Sequence, residues 1–246
     1  MKKIISALIT LTLAVSIAFA SIAAEAETEE PGEIISTEYV LRVNHLYRFF
    51  QGSDDSQKSV RTECPIKDGD TVEIGGLSDL VITVESIKDD TLSFTTNYSY
   101  VIYGTEDYST SYTVKAGEEL DLIDMGICDA SSEYIISLIK IDNYDIENFR
   151  DFTCDMDGDK EAEQIFFSFI DNGCEAYSLN EINLISKGKP YVGYIEQAYD
   201  LLSLKAVTDT EGTHLEAEFT TGDFYNHDEA SVYTITFDGS SVLVEQ

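Results

Sequence analysis

From Tyr39 onward the chain is written in short runs of alternating or β-branched residues, with no long amphipathic helical pattern between them. Thr71-Val72-Glu73-Ile74, Leu80-Val81-Ile82-Thr83-Val84, Thr91-Leu92-Ser93-Phe94-Thr95 and Tyr134-Ile135-Ile136-Ser137-Leu138-Ile139 all read as strands. Turn formers bound them: Lys67-Asp68-Gly69-Asp70, Gly75-Gly76, Lys88-Asp89-Asp90 and Ala116-Gly117. Closely spaced short strands with polar turns predict an all-β protein, and over 39–145 a β-sandwich or barrel-like domain. Only Tyr194 to Leu202 suggests helix, of two turns at most. A boundary falls near Ile141 to Asn148, where an apolar strand gives way to the polar run Asp142-Asn143-Tyr144-Asp145.

Beyond that boundary lies the stretch whose chemistry is most explicit. Asp155-Met156-Asp157-Gly158-Asp159-Lys160-Glu161-Ala162-Glu163 sets carboxylates at alternate positions, supplies a glycine for the turn, and leads directly into Ile165-Phe166-Phe167. Hard oxygen ligands so spaced can converge on one cation, and Ca²⁺ accepts about 6–8 of them at roughly 2.3–2.6 Å. An EF-hand would need glycine where Lys160 stands and an acidic ligand where Phe166 stands, so that reading is rejected. An acidic turn that binds nothing is the competing reading.

Residues Phe152 to Phe167 resemble the calcium-loop repeat of FG-GAP and VCBS proteins, the blades of integrin-α-like β-propellers. The resemblance implies that Asp155, Asp157 and Asp159 ligate Ca²⁺ through side chains, Glu161 through its backbone carbonyl, and Glu163 through its carboxylate. Lys160 departs from the pattern, which prefers glycine there; a left-handed backbone at that place costs a residue with a Cβ. Affinity is therefore expected to be weak, in the ~10⁻⁴–10⁻³ M range of extracellular modules. A degenerate echo, Asp209-Thr210-Glu211-Gly212-Thr213, lacks the later acids and is expected to bind no ion. Two blade-like units cannot close a propeller, which needs about 4–8 blades. Residues 148–246 are thus expected to form a small β-domain of two blade-like antiparallel units.

The address comes from the other end. Met1 to Ala26 has the charged start, apolar stretch and small-residue cleavage site of a secretory signal, so a secreted or cell-surface product is expected, with no integral membrane segment after cleavage. Residues 27–38 are acidic, carry Pro31 and Gly32, and are expected to be a disordered lead. With 47 acidic against 15 basic side chains and a formal charge of −32, nucleic acid is excluded as a partner. Cys64, Cys128, Cys154 and Cys174 permit three pairings, of which Cys64–Cys128 and Cys154–Cys174 are nearest in each domain; four buried thiols are the alternative.

Nothing catalytic stands out. There is no H-E-x-x-H, no G-x-S-x-G and no phosphate-cradling glycine loop. His214, Glu216 and Glu218 alternate onto one strand face, half a zinc site or simply a solvated surface. Tyr98, Tyr100, Tyr103, Tyr108 and Tyr112 crowd a hairpin, where they either pack within a sheet or hold protein or glycan. The sequence therefore points to an exported, non-catalytic calcium-binding protein that binds protein or glycan, with a secreted hydrolase or its accessory subunit as the alternative.

Overall fold

In a computed structural model, residues 34–51, 54–75, 79–124, 130–145, 152–171, 178–196, 198–223 and 226–246 are described. They form sixteen antiparallel strands and no helix, so no helix among them is long and apolar enough to cross a membrane. The signal and most of the acidic lead lie outside the described residues. The end of that lead is ordered: β1 (Ile34–Gln51) begins at Ile34, which pairs with Tyr144. Thr37 donates to Asp142 at 2.6 Å and Asn143 donates to Ser36 at 3.0 Å, so a partner strand satisfies a segment whose composition alone favours disorder.

β1 is flanked by β2 (Asp54–Pro65), its hairpin partner, and by β8 (Ala130–Tyr144), which accompanies it from Ile34 to Phe49. Between them in sequence come β3 (Thr71–Ile74), β4 (Leu80–Lys88), β5 (Thr91–Ile102), β6 (Tyr108–Lys115) and β7 (Glu119–Asp124). The four strands expected from alternation are all present. In β4 the even positions Leu80, Ile82 and Val84 are buried, as a period of two requires when one face covers a core. The turn into β5 puts Asp89 and Asp90 at positive φ, 51° and 59°, the conformation of a tight two-residue hairpin. Leu41, Val43, Ile82, Phe94, Leu122 and Ile136 meet in the first core.

The rest of the chain forms two four-stranded meanders. β9 (Phe152–Cys154), β10 (Glu163–Asp171), β11 (Ser178–Ser186) and β12 (Lys189–Glu196) make a separate sheet. β13 (Ala198–Asp209), β14 (Gly212–Asp223), β15 (Asn226–Phe237) and β16 (Val242–Glu245) continue the large sheet, which ends at β3 and β16 and does not close into a barrel. Ile165, Ile182 and Leu184 of one layer pack with Leu215, Phe219 and Ile235 of the other in a second core. The layers pack tightly at Gly193, where an added Cβ would lie 2.6 Å from Val242 Cγ1. Where a short helix was expected the described residues are strand: Tyr194 to Glu196 end β12 and Ala198 to Leu202 begin β13, each with its edge committed to a neighbour.

One strand joins the two cores. β8 gives one edge to β1, while its other edge pairs with β7 at Ser132–Ser137 and with β13 at Lys140–Asn143. Residues 34–246 are accordingly one compact unit with two clusters of buried side chains. Cys64 and Cys154 carry free thiols, and the partners assigned to them, Cys128 and Cys174, lie outside the described residues. Burial, then the Glu163, Asp155 and Asp142 carboxylates, pushes the Cys154 thiol up to about 12, which favours the protonated form.

A histidine sits inside the first core. His45, 1% exposed, lies between the rings of Tyr47 at 3.7 Å and Tyr134 at 4.2 Å, with Nδ1 3.2 Å from the Gly75 carbonyl oxygen. Its Nε2 has no partner among the described residues, so the neutral ring protonated on Nδ1 fits the site and imidazolium does not. Burial lowers its pKa from 6.5, more than the hydrogen bond to Gly75 raises it. With the folded value below the unfolded one, the unfolded chain takes up the proton first. The stabilisation is whole above 6.5 and is lost as pH falls from there through the depressed folded value. In a His45→Gln variant the drop in urea midpoint between about pH 7.5 and 5 should be smaller than in the parent; an identical drop would refute this account.

Candidate metal centre

The loop between β9 and β10 is shaped by its own carboxylates. Asp155 accepts from the Gly158 and Lys160 N–H groups, both at 2.9 Å. Asp157 accepts from Asp159 at 3.2 Å, and Asp159 from Glu161 at 2.8 Å. Each aspartate thus folds the backbone ahead of it, the Asx-turn behaviour that favours Asp in tight loops. Gly158 and Lys160 both take positive φ, 76° and 74°. At Lys160 the pattern's preference for glycine has its physical reason: the left-handed conformation is required whichever residue stands there.

Asp155, Asp157 and Asp159 each contribute an oxygen to a group lying within 4.8 Å, and no other such group of three or more occurs among the described residues. Three carboxylates so close repel one another, and a hard cation between them would relieve that repulsion. Glu161 is exposed and supplies its N–H to Asp159. Glu163 is placed differently from the three aspartates. It is 1% exposed, with Oε2 accepting from the Met156 N–H at 2.8 Å and Oε1 from the Ser186 hydroxyl at 3.0 Å. Both of its oxygens already tie the base of the loop to β11, and it does not join the three-aspartate group. Met156, whose N–H it accepts from, is buried in the second core, so the loop is anchored at its base.

Two neighbours were invisible in the local sequence. The Lys187 ammonium, from the β11–β12 turn, pairs with Asp159 Oδ2. That contact, followed by the Glu161 N–H, holds the Asp159 carboxyl below its ordinary value. The β15–β16 turn also approaches, so closely that a Cβ on Gly239 would lie 3.2 Å from Asp157 Oδ2. Asp238 in that turn accepts from the Ser240 hydroxyl and from the Ser240 and Ser241 N–H groups, which lower its pKa to about 2. No sequence signal marks Lys187 or Gly239, because turns from different hairpins deliver them.

The other candidates separate. Asp209 is 6% exposed and belongs to no metal group; it pairs with Arg42 at 3.3 Å and accepts from the Glu211 N–H at 2.9 Å. The echo of the loop is therefore a hairpin turn tied to β1. His214 and Glu216 stand 4.0 Å apart on the half-buried face of β14, and Glu218 accepts from Ser203 at 3.0 Å. In the tyrosine cluster the register of β5 against β6 shifts between Thr95 and Tyr100, a bulge that interrupts the alternation of faces. Tyr100 is buried, whereas Tyr98, Tyr103 and Tyr108 are exposed. Tyr112 holds the bulge: its hydroxyl accepts from the Tyr100 N–H at 3.1 Å and donates to the Tyr100 carbonyl at 3.0 Å.

No family model matches the chain, and no curated protein or solved structure matches it either.

Proposed function

We propose that the protein is a non-catalytic, calcium-stabilised β-protein that works outside the cell by binding protein or glycan. The observation that carries the calcium part is the convergence of Asp155, Asp157 and Asp159 on a loop whose base is locked into the second core by Glu163 and Met156. A cation there would compete with Lys187 for Asp159 and draw three backbone turns together. The net charge of −32 supports the same reading, since a cation bound by the folded form offsets self-repulsion. Such a site serves as a clamp between hairpins, and the ligand-binding surface lies elsewhere.

Calorimetric titration with Ca²⁺ should show one weak site. For a Kd of about 1 mM, about 5 mM Ca²⁺ stabilises the folded form by roughly 1 kcal/mol and raises Tm by about 2–4 °C. Asp155→Asn combined with Asp157→Asn should abolish that shift. An unchanged Tm in the parent, or the same rise in the double variant, would remove calcium from the proposal. Turnover of a glycan or peptide by the purified protein would contradict its non-catalytic part.

A further inference from the structure

We propose that the concavity at the β5–β6 turn receives a cationic side chain, an arginine or lysine presented by a partner protein. The inference rests on the reading of the chain as a binding protein and names the chemistry of one partner. The turn reads Tyr103-Gly104-Thr105-Glu106-Asp107-Tyr108, two aromatic rings around two carboxylates. It opens on a cavity of about 500 Å³ with Val101 and Ile123 at its floor and Tyr103, Thr105, Glu106 and Tyr108 around it. That volume lies within the range of about 300–1,000 Å³ typical of ligand sites. Both tyrosines are 66% exposed, although large aromatic side chains are ordinarily covered.

The frame is preformed. Thr105 Oγ1 donates to the Ile102 carbonyl at 2.9 Å and accepts from the Asp107 N–H at 3.2 Å. The Tyr103 N–H donates to the Asp121 carbonyl at 3.0 Å, which fixes the turn against β7. Little ordering is left for a ligand to impose, and that lowers the cost of binding.

Charge selects the occupant. Among the described residues no lysine or arginine lines the cavity, Glu106 is part of its wall, and the whole chain carries a formal charge of −32. Phosphates and acidic peptides are repelled. A neutral sugar could lie on the rings but gains nothing from the carboxylate. A guanidinium or ammonium satisfies both features at once, resting on the tyrosine faces and pairing with Glu106. Arginine and tyrosine are also the residues that concentrate binding energy at protein interfaces.

The test uses the full chain and a capped peptide, Gly-Arg-Gly-Arg-Gly, with a twin carrying citrulline in place of arginine. The arginine peptide should perturb the NMR signals of Tyr103 and Tyr108, and its affinity should fall roughly tenfold in Tyr103→Ala/Tyr108→Ala. Those substitutions leave net charge unchanged, so diffuse attraction cannot account for the loss. Tyr194→Ala, at an exposed tyrosine on β12, should leave affinity as it was. Equal perturbation by the citrulline twin, no response to the arginine peptide, or full affinity in the double variant would overturn the inference. Occupation of the turn by cellobiose in place of the peptide would also overturn it, while leaving the binding-protein reading standing.

Discussion

Replacing Arg42 by methionine should cost about 3 kcal/mol of stability, because it strands a buried carboxylate. Arg42, with a side chain 13% exposed, donates to Glu63 at 2.7 Å and to Asp209 at 3.3 Å, and the Asp209 side chain is 7% exposed. Glu63 keeps Arg61 at 2.8 Å and is open to water, so it loses little. Asp209 retains only its local hydrogen bond from the Glu211 N–H at the cost of an uncompensated charge. The loss should appear as a lower guanidinium midpoint with an unchanged slope. Adding Asp209→Asn, which keeps the turn and removes the charge, should recover at least about 1 kcal/mol in a double-mutant cycle. Strictly additive losses would mean that the pair between β1 and β13 contributes nothing of its own.

Phe219→Ala should cost still more, about 3–5 kcal/mol. The ring is 1% exposed and stands 6.0 Å from Phe167 in the facing sheet and 6.0 Å from Tyr233 on the neighbouring strand. Truncation opens a void between two layers whose backbones are held apart by their own hydrogen-bond ladders, so collapse into it is restricted. Phe219→Leu, which keeps most of the volume, should lose less than about 1.5 kcal/mol. If the alanine variant lost under about 1 kcal/mol, the two meanders would not share a packed core at Phe219.

These two variants test contacts that composition could not reveal. Asp209 opens a stretch that looks like a worn copy of the Asp155 loop, and reading along the chain compares it with that loop. In the fold it is compared with Arg42, brought from β1 by the antiparallel register of β8 against β13. Glu163 shows the same limit. Its spacing from Asp155 suits a ligand, yet β10 begins at Glu163 and turns that carboxylate inward to Met156 and Ser186. The tyrosines divide for a related reason, since alternation predicts faces only while the ladder is regular and the bulge in β5 interrupts it.

By itself the sequence determined what depends on neighbours along the chain. The period of two in Leu80–Val84 and Thr91–Thr95 made strands, the Asp89-Asp90 pair made a tight turn, and the alternating aspartates from Asp155 to Asp159 folded a loop that demands positive φ at Lys160. Tertiary structure alone decided which groups meet. It seated His45 between two tyrosines, joined the cores through β8, gave Asp159 a lysine from another hairpin, and left Tyr103 and Tyr108 facing solvent around Glu106. The division follows from range. Backbone sterics and local hydrogen bonds act over a few residues, whereas burial and ion pairing depend on strands that only sheet register brings together.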